Sequence, residues 1–295
     1  MRNRQECRFP LFCKFLSFFR TLNISGVLSM DNKVRKSYLI GKYNGESLSH
    51  VQDDIAIEFP LTIHVDGEEF ATMVCSPTHL QELVIGFLAS EGLIRRHSEI
   101  ASISIDDSHG FAYVDLVNKK VINKDLYSKR FIGSCCGKSR QFYFHNDVRT
   151  AKTITNTTTI TIEQSFHLMN LLQHQSADFR LTGGVHNGAL CTTNEMIINR
   201  TDIGRHNALD KLYGYCLKEK ITRSDKIIAF SGRLSSEVIL KVAKIGIGII
   251  LSKSAPTSLG IDLANDLGIT IIGFIRKNQL NIYTHPERVS GTNLD

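Results

Sequence analysis

The sequence predicts an α/β protein: a mostly parallel sheet covered by helices in its C-terminal half, with a smaller α+β domain before it. Two observations predict this. From residue 182 onward, short wholly apolar runs (Ile227–Phe230, Ile247–Leu251, Ile269–Ile275) alternate with segments of helical period, as parallel strands buried on both faces do. Before residue 150, a hairpin signal and one amphipathic helix stand among shorter strand-like runs. A chain of 295 residues carries a prior of roughly two domains of ~150 residues. The boundaries are read as an extension over 1–29, an N-terminal α+β domain over 30–150, and a C-terminal α/β domain over 151–295.

In the extension, Phe12, Phe15, Leu16 and Phe19 fall at i, i+3, i+4 and i+7 among basic residues, the pattern of an amphipathic helix. Lys14 and Arg20 interrupt its apolar part and no clear cleavage site follows, which argues against a signal peptide. A membrane-surface anchor is one reading. The preferred one starts the protein at Met30, leaving residues 1–29 non-native or disordered.

The N-terminal domain begins near Val34. Leu61–Val65 and Glu68–Met73 read as strands around Asp66-Gly67, a strong hairpin signal. Ser76-Pro77 reads as the N-cap and first residue of a helix whose Leu80, Leu83, Val84, Phe87 and Leu88 keep the 3.6 period until Gly92. His79, one position off that stripe, reads as a capping or surface histidine. Strands follow near Ile100–Ile105 and Phe111–Val117, with a short one at Gln141–Phe144. Residues 150–161 form a Thr-rich connection, and Ile162–His174 a helix whose Phe166, Met169 and Leu172 are core.

In the C-terminal domain the expected strands are Gly188–Cys191, Met196–Asn199, Ile227–Phe230, Ile247–Leu251, Ile269–Ile275 and Leu280–Thr284. Between them run helices through Leu209–Cys216, Leu234–Ile245 and Thr257–Leu267. Two strand-to-helix turns, Ser231-Gly232-Arg233 and residues 252–257 (Ser-Lys-Ser-Ala-Pro-Thr), each carry hydroxyls and a cation. Ligands of such sheets sit at the carboxyl ends of strands, where helix N-termini favour anions. Either turn alone is explained by capping; both on one edge point to a phosphate-bearing ligand.

Composition excludes several classes. Hydrophobic content of 42% and charged content of 22% are those of a globular protein with a sizeable core. Of the net charge of +6, residues 1–30 hold +4, so the remainder lacks the basic surface of a nucleic-acid binder. Seven irregularly spaced cysteines are no disulfide framework and suggest a reducing, cytoplasmic location. No apolar run reaches the ~18 residues of a membrane span.

The stretch with the most chemistry is Gly133-Ser134-Cys135-Cys136-Gly137-Lys138-Ser139-Arg140. Lys138 and Arg140 favour a thiolate, the nucleophilic form of cysteine, and the flanking glycines allow close approach of a partner. The stretch is one residue short of a phosphate-binding P-loop and has the wrong flanks for one. Adjacent cysteines without a second pair do not make a zinc site either, so no metal is expected.

Several ordered blocks together resemble the FdhD/NarQ family. They are Glu58-Phe59-Pro60-Leu61-Thr62, the helix Glu82–Leu88 with Ser90-Glu91-Gly92, the cysteine loop, the block 202–211 (Asp-Ile-Gly-Arg-His-Asn-Ala-Leu-Asp-Lys), Ser231-Gly232-Arg233 with Ser235-Ser236-Glu237, and residues 252–258. The resemblance runs from about residue 35 to the end. It implies a cytidine-deaminase-like core without deaminase chemistry, and indeed no P-C-x-x-C is present.

It further implies a sulfurtransferase acting as a sulfur carrier. A cysteine desulfurase hands a persulfide to a loop cysteine, and the sulfur passes to a bis-guanine-dinucleotide molybdopterin cofactor, held as substrate, for formate dehydrogenase. Relatives carry C-G-x-C-G where this chain has Cys135-Cys136-Gly137-Lys138-Ser139. An ungapped alignment puts the first family cysteine on Cys136 and the second position on Ser139; a gapped one keeps Cys135 and Cys136 as the pair. Cys136 is the expected persulfide carrier, with Cys135 as helper or substitute. The family's cofactor-contacting segment falls on Phe274, Ile275, Arg276, Lys277, Asn278 and Gln279. Cysteine desulfurase and formate dehydrogenase are the implied partners, with neither nucleic acid nor membrane, and a homodimer left open. The rival readings are a non-catalytic cofactor-binding chaperone and, more distantly, a small NTPase.

Overall fold

The structure, a computed structural model, describes residues 34–118, 130–132, 151 and 153–291. The extension 1–29, the cysteine loop and the expected strand at residues 141–144 lie outside the described residues. All described residues fall within one compact unit, Lys33–Asp295.

Strands β1 (Arg35–Tyr43) and β2 (Leu48–Ala56) pair as an antiparallel hairpin that joins no other sheet among the described residues. A five-stranded sheet follows, ordered β5-β6-β3-β4-β7. Its strands are β3 (Phe59–Val65), β4 (Glu68–Cys75), β5 (Ile100–Asp106), β6 (Phe111–Leu116) and β7 (Arg130–Ile132). The β3–β4 turn is the expected one: Asp66 and Gly67 both have positive φ, 51° and 86°, which matches the twist of the flanking strands.

Helix α1 (Leu80–Ser90) starts later than the sequence suggests. Its N-cap position is His79, left-handed at φ 52° and without a side-chain cap, rather than Ser76. Ser76 is drawn into a buried contact instead: its N–H donates to Asp202 Oδ2 at 3.1 Å, and its Oγ accepts from the Ile203 N–H at 3.0 Å.

Helix α2 (Ile162–His174) has the predicted bounds. Thr161 caps it: its Oγ1 accepts from Gln164 N–H, and Gln164 Oε1 accepts from Thr161 N–H. The two residues before it form β8 (Ile160–Thr161), and α3 (Ala177–Thr182) follows, closed by left-handed Gly183. The six-stranded C-terminal sheet has the order β10-β9-β11-β12-β13-β14. Its members are β9 (His186–Cys191), β10 (Met196–Asp202), β11 (Ile227–Phe230), β12 (Ile249–Ser252), β13 (Thr270–Arg276) and β14 (Gln279–Ile282). Between them run α4 (Arg205–Lys218), α5 (Ser236–Ile245) and α6 (Ser258–Leu267), and β15 (Val289–Ser290) returns to pair with β8.

The expectation of a mostly parallel sheet is corrected. Only β11–β12 and β12–β13 are parallel; the β10–β9, β9–β11 and β13–β14 pairs are antiparallel. The connections decide it: α5 and α6 are long enough for crossovers, whereas the links β9–β10 and β13–β14 are short turns that return the chain antiparallel.

Alternate residues of the central strands sort to opposite faces. Leu190, Ile228, Ile250 and Ile271 join the core under α1, α4 and α5. Ala189, Ala229, Ile249, Leu251 and Ile272 join a second core with Leu168, Met169 and Leu172 of α2. The first core also contains Leu61, Ile63 and Met73, so the N-terminal sheet and the C-terminal sheet share one interior through α1 and α4. No helix among the described residues is long and apolar enough to cross a membrane.

Candidate functional site

Register puts many polar groups on one edge. Phe230 at the end of β11 pairs with Gly188 and with Ser252, and Asp202 at the end of β10 pairs with His186. The carboxyl ends of β10, β11, β12 and β13 and the amino end of β9 therefore share this edge.

The turns along it are tied together by their own serines. Ser252 Oγ donates to Gly232 O at 2.9 Å, and Ser254 Oγ to Ser231 O at 3.2 Å. Asn187 and Ser231 exchange two bonds: Asn187 N–H donates to Ser231 Oγ at 2.9 Å, and Ser231 N–H to Asn187 O at 3.0 Å. Arg276 Nε donates to Lys253 O at 3.2 Å, which brings the β13–β14 turn to the β12–α6 turn.

A cavity of about 760 Å³ opens here, within the range of small-molecule sites. Ser231, Lys253, Ser254, Arg276 and Lys277 line one side, and Asn170, Gln173, Ser176 and Arg180 of the α2–α3 corner line the other. Arg180 is positioned by donating to the last carbonyls of α2, Gln173 O at 2.6 Å and His174 O at 2.9 Å. Among the described residues, the lining thus carries four cations (Arg180, Lys253, Arg276, Lys277) and no carboxylate. Asn187 also lines it; the residue is 1% exposed and its Nδ2 has no hydrogen-bond partner among the described residues. A buried amide donor in a basic cavity suits a ligand oxygen.

Of the segment 274–279, the structure brings Arg276 and Lys277 to the cavity. Phe274 sits in a bulge of β13 at φ 52°, a left-handed conformation that a non-glycine residue seldom adopts, and the Arg276 guanidinium lies 5.0 Å from its ring centroid. Ile275 is 2% exposed and packs in the core beneath α2, so it supports the segment without facing a ligand. Asn278 in the turn and Gln279 at the start of β14 are exposed and are not among the lining residues, nor is Arg233. Arg180, Asn170, Gln173, Ser176 and Asn187 escaped the sequence reading; only the tertiary placement of the α2–α3 corner against this edge reveals them.

The block 202–211 turns out to be mostly framework. Lys211 Nζ lies 2.7 Å from Asp202, with both side chains fully buried. Asp202 further accepts from Gly204 N–H at 2.8 Å and Asn207 Nδ2 at 2.9 Å, while Lys211 donates to Ser76 O and Thr201 O. Asp210 accepts from Ser90 Oγ at 2.6 Å and pairs with Lys241. His186, at the same edge, is held below the usual histidine range by burial and then by Arg205, so it is neutral near pH 7.

Cys135 and Cys136 lie outside the described residues, but the strand that leads into their loop does not. Strand β7 runs parallel to β4, with Ile132 opposite Met73. Three residues beyond Met73, Ser76 reaches Asp202 at the edge just described. The described cysteines are Cys75, Cys191 and Cys216, all buried. Burial pushes the Cys216 thiol up to about 11 and the Cys191 thiol up to about 12, and raises that of Cys75 further, with the Asp202 carboxylate adding to the effect.

Comparison with known proteins agrees with this architecture. The chain is 58% identical over 250 residues to "Sulfur carrier protein FdhD" of Geobacillus kaustophilus, covering 85% of this chain and 95% of that protein. It is 54% identical over 260 residues to the protein of the same name from Bacillus subtilis, covering 88% and 99%. Its fold matches the crystal structure of a protein described as a candidate formate dehydrogenase accessory protein from Desulfotalea psychrophila, with a TM-score of 0.71 and 24% identity over 87% of this chain and 99% of that one. A model of the FdhD/NarQ family matches residues 56–290, and with relatives of this identity over nearly their whole length, the chain belongs to the FdhD/NarQ family.

Proposed function

We propose that this chain is a sulfurtransferase of the cytoplasm: a sulfur carrier that takes persulfide sulfur from a cysteine desulfurase and passes it to a molybdenum cofactor bearing two guanine dinucleotides, for use by formate dehydrogenase. The relatives named sulfur carrier proteins support the carrier role. The observation that carries the rest is positional: the strand feeding the Cys135–Cys136 loop ends beside β4, and β4 ends against the basic edge of the C-terminal sheet. Such an edge suits the pyrophosphate of a guanine dinucleotide, with Arg276, Lys277, Lys253 and Arg180 as counter-charges. The parallel strands at the centre of the sheet fit a cytidine-deaminase-like core put to this use.

Cys136 is the acceptor in this reading. Its thiolate attacks the outer sulfur of the desulfurase persulfide, the sulfur–sulfur bond there breaks, and the desulfurase cysteine leaves as thiolate. Cys75, Cys191 and Cys216 stay protonated and buried at neutral pH, so they do not compete. The test is intact mass after incubation with a desulfurase and cysteine, for wild type, Cys135→Ser, Cys136→Ser and the double variant. Wild type should gain one sulfur, Cys136→Ser should lose most of that gain, and the double variant all of it. Its formate dehydrogenase should then assemble without activity. Full sulfur transfer by the double variant would sink the reading.

A further inference from the structure

The cavity at the carboxyl edge of the C-terminal sheet has two unlike walls. Lys253, Arg276 and Lys277 stand on the sheet side with Ser231 and Ser254. The α2–α3 corner opposite carries Phe179, which lines the cavity while 44% exposed. An aromatic ring left open in an otherwise polar cavity gains by being covered. The corner fixes where that ring stands. Gly183 N–H donates to Phe179 O at 2.8 Å, Arg180 N–H donates to Ser176 O at 3.1 Å, and the Arg180 side chain is tied to the last carbonyls of α2.

Two exposed phenylalanines belong to segments of this edge, and they differ. Phe274 does not line the cavity, and the Arg276 guanidinium already lies 5.0 Å from its ring centroid. Phe179 has neither a ring partner nor a cation over its ring among the described residues. Asn170 and Gln173, three residues apart on α2, line the same wall. Their side-chain amides make no hydrogen bond among the described residues, and each offers both donors and an acceptor.

We propose that the α2–α3 corner is the base-binding wall of this cavity, with Phe179 as the platform on which a guanine base stacks. The amides of Asn170 and Gln173 meet the edge of the base, which itself presents both donors and acceptors. The phosphates then face Lys253, Arg276 and Lys277 across the cavity. This rests on the reading of the edge as the cofactor's binding site and adds which wall takes which half of the nucleotide. A stack contributes only when a base is present, whereas the cations act on phosphate with or without one, so the two walls are separable by experiment.

The chain contains no tryptophan, so Phe179→Trp places a single indole emitter at the corner. In the full chain, GDP should quench its emission saturably as the base stacks on the indole, while inorganic pyrophosphate should leave it nearly unchanged. Calorimetry on Phe179→Ala should find GDP weakened roughly tenfold or more, the order expected for one base–aromatic stack. Pyrophosphate should stay within about twofold of wild type in that variant, and Arg276→Ala should weaken both ligands. Phe179 is exposed, so these replacements spare the fold. If wild type binds GDP and Phe179→Ala binds it as tightly, the stack is overturned and the cofactor reading stands. Quenching by pyrophosphate equal to that by GDP would also overturn the stack. If wild type binds neither GDP nor pyrophosphate, the stack and the placement of the cofactor at this edge fail together.

Discussion

Lys211 and Asp202 meet at 2.7 Å with no surface on either side chain, and every acceptor position around them is occupied. Taking two charges out of water is expensive, and here the return comes from backbone groups of β4 and β10 that need partners of opposite polarity. The pair therefore welds the end of the N-terminal sheet to the edge of the C-terminal one. Removing one member leaves the other buried and uncompensated. Lys211→Met should lower unfolding free energy by about 3–5 kcal/mol, the usual loss for breaking a buried pair, read from urea midpoints at constant slope. A loss below about 1 kcal/mol, the scale of surface pairs, would mean that water reaches the pair. From sequence, these two residues stood only in a block that carries the family resemblance; their complete burial shows that they are framework.

Between the sheets, α1 and α4 cross at a pair of glycines. A Cβ on Gly86 would stand 1.8 Å from Asp210 O, and one on Gly214 would stand 1.8 Å from Glu82 O. In each case the obstacle is backbone, which cannot rotate away. Alanine gains about 1 kcal/mol of helix propensity over glycine, but overpacking of this kind costs about 1–3 kcal/mol or more. The overpacking wins, so Gly214→Ala should be destabilised by roughly 2 kcal/mol or more. The double variant Gly86→Ala/Gly214→Ala should lose less than the sum, because helices pushed apart by the first methyl have made room for the second. Simple additivity in a denaturation cycle would contradict this close crossing. The elements differ in how readable they were. Helix α2 was legible to its bounds because its apolar stripe and Thr161–Gln164 capping box act locally. The β1–β2 hairpin was missed because its strands are exposed on both faces, so no alternation of apolar and polar residues marks them. Glycines 86 and 214 carried no reading of their own in the sequence, and packing makes them the point of closest approach. The mixed sheet was misread because apolar runs report burial on both faces and not strand direction.

At the scale of the molecule, the N-terminal half supplies the strand into the cysteine loop and the C-terminal half supplies the basic cavity, joined through α1, α4 and the Asp202 contact. Sequence pointed to this edge through two strand-end turns, since strand ends in α/β sheets are predictable ligand positions, and the resemblance pointed to it through the segment 274–279. It missed the α2–α3 side, which approaches only in the folded chain. In the proposed function, holding cofactor and carrying sulfur are separable tasks, done by different groups. Charge reversal at the cavity should expose the division. Lys253→Glu/Arg276→Glu places two carboxylates where the cavity now has two cations, and should weaken GDP, a stand-in for half the cofactor, by roughly a hundredfold, the order expected for losing two charge-assisted bonds. Sulfur loading on Cys136 by the desulfurase should stay within about twofold of wild type, because neither substituted side chain takes part in the attack of thiolate on persulfide. Calorimetry with GDP and intact mass after desulfurase treatment read the two quantities on the same protein. If GDP binding holds while loading collapses, the basic edge serves the desulfurase and the cofactor binds elsewhere. If both survive, neither task depends on this edge.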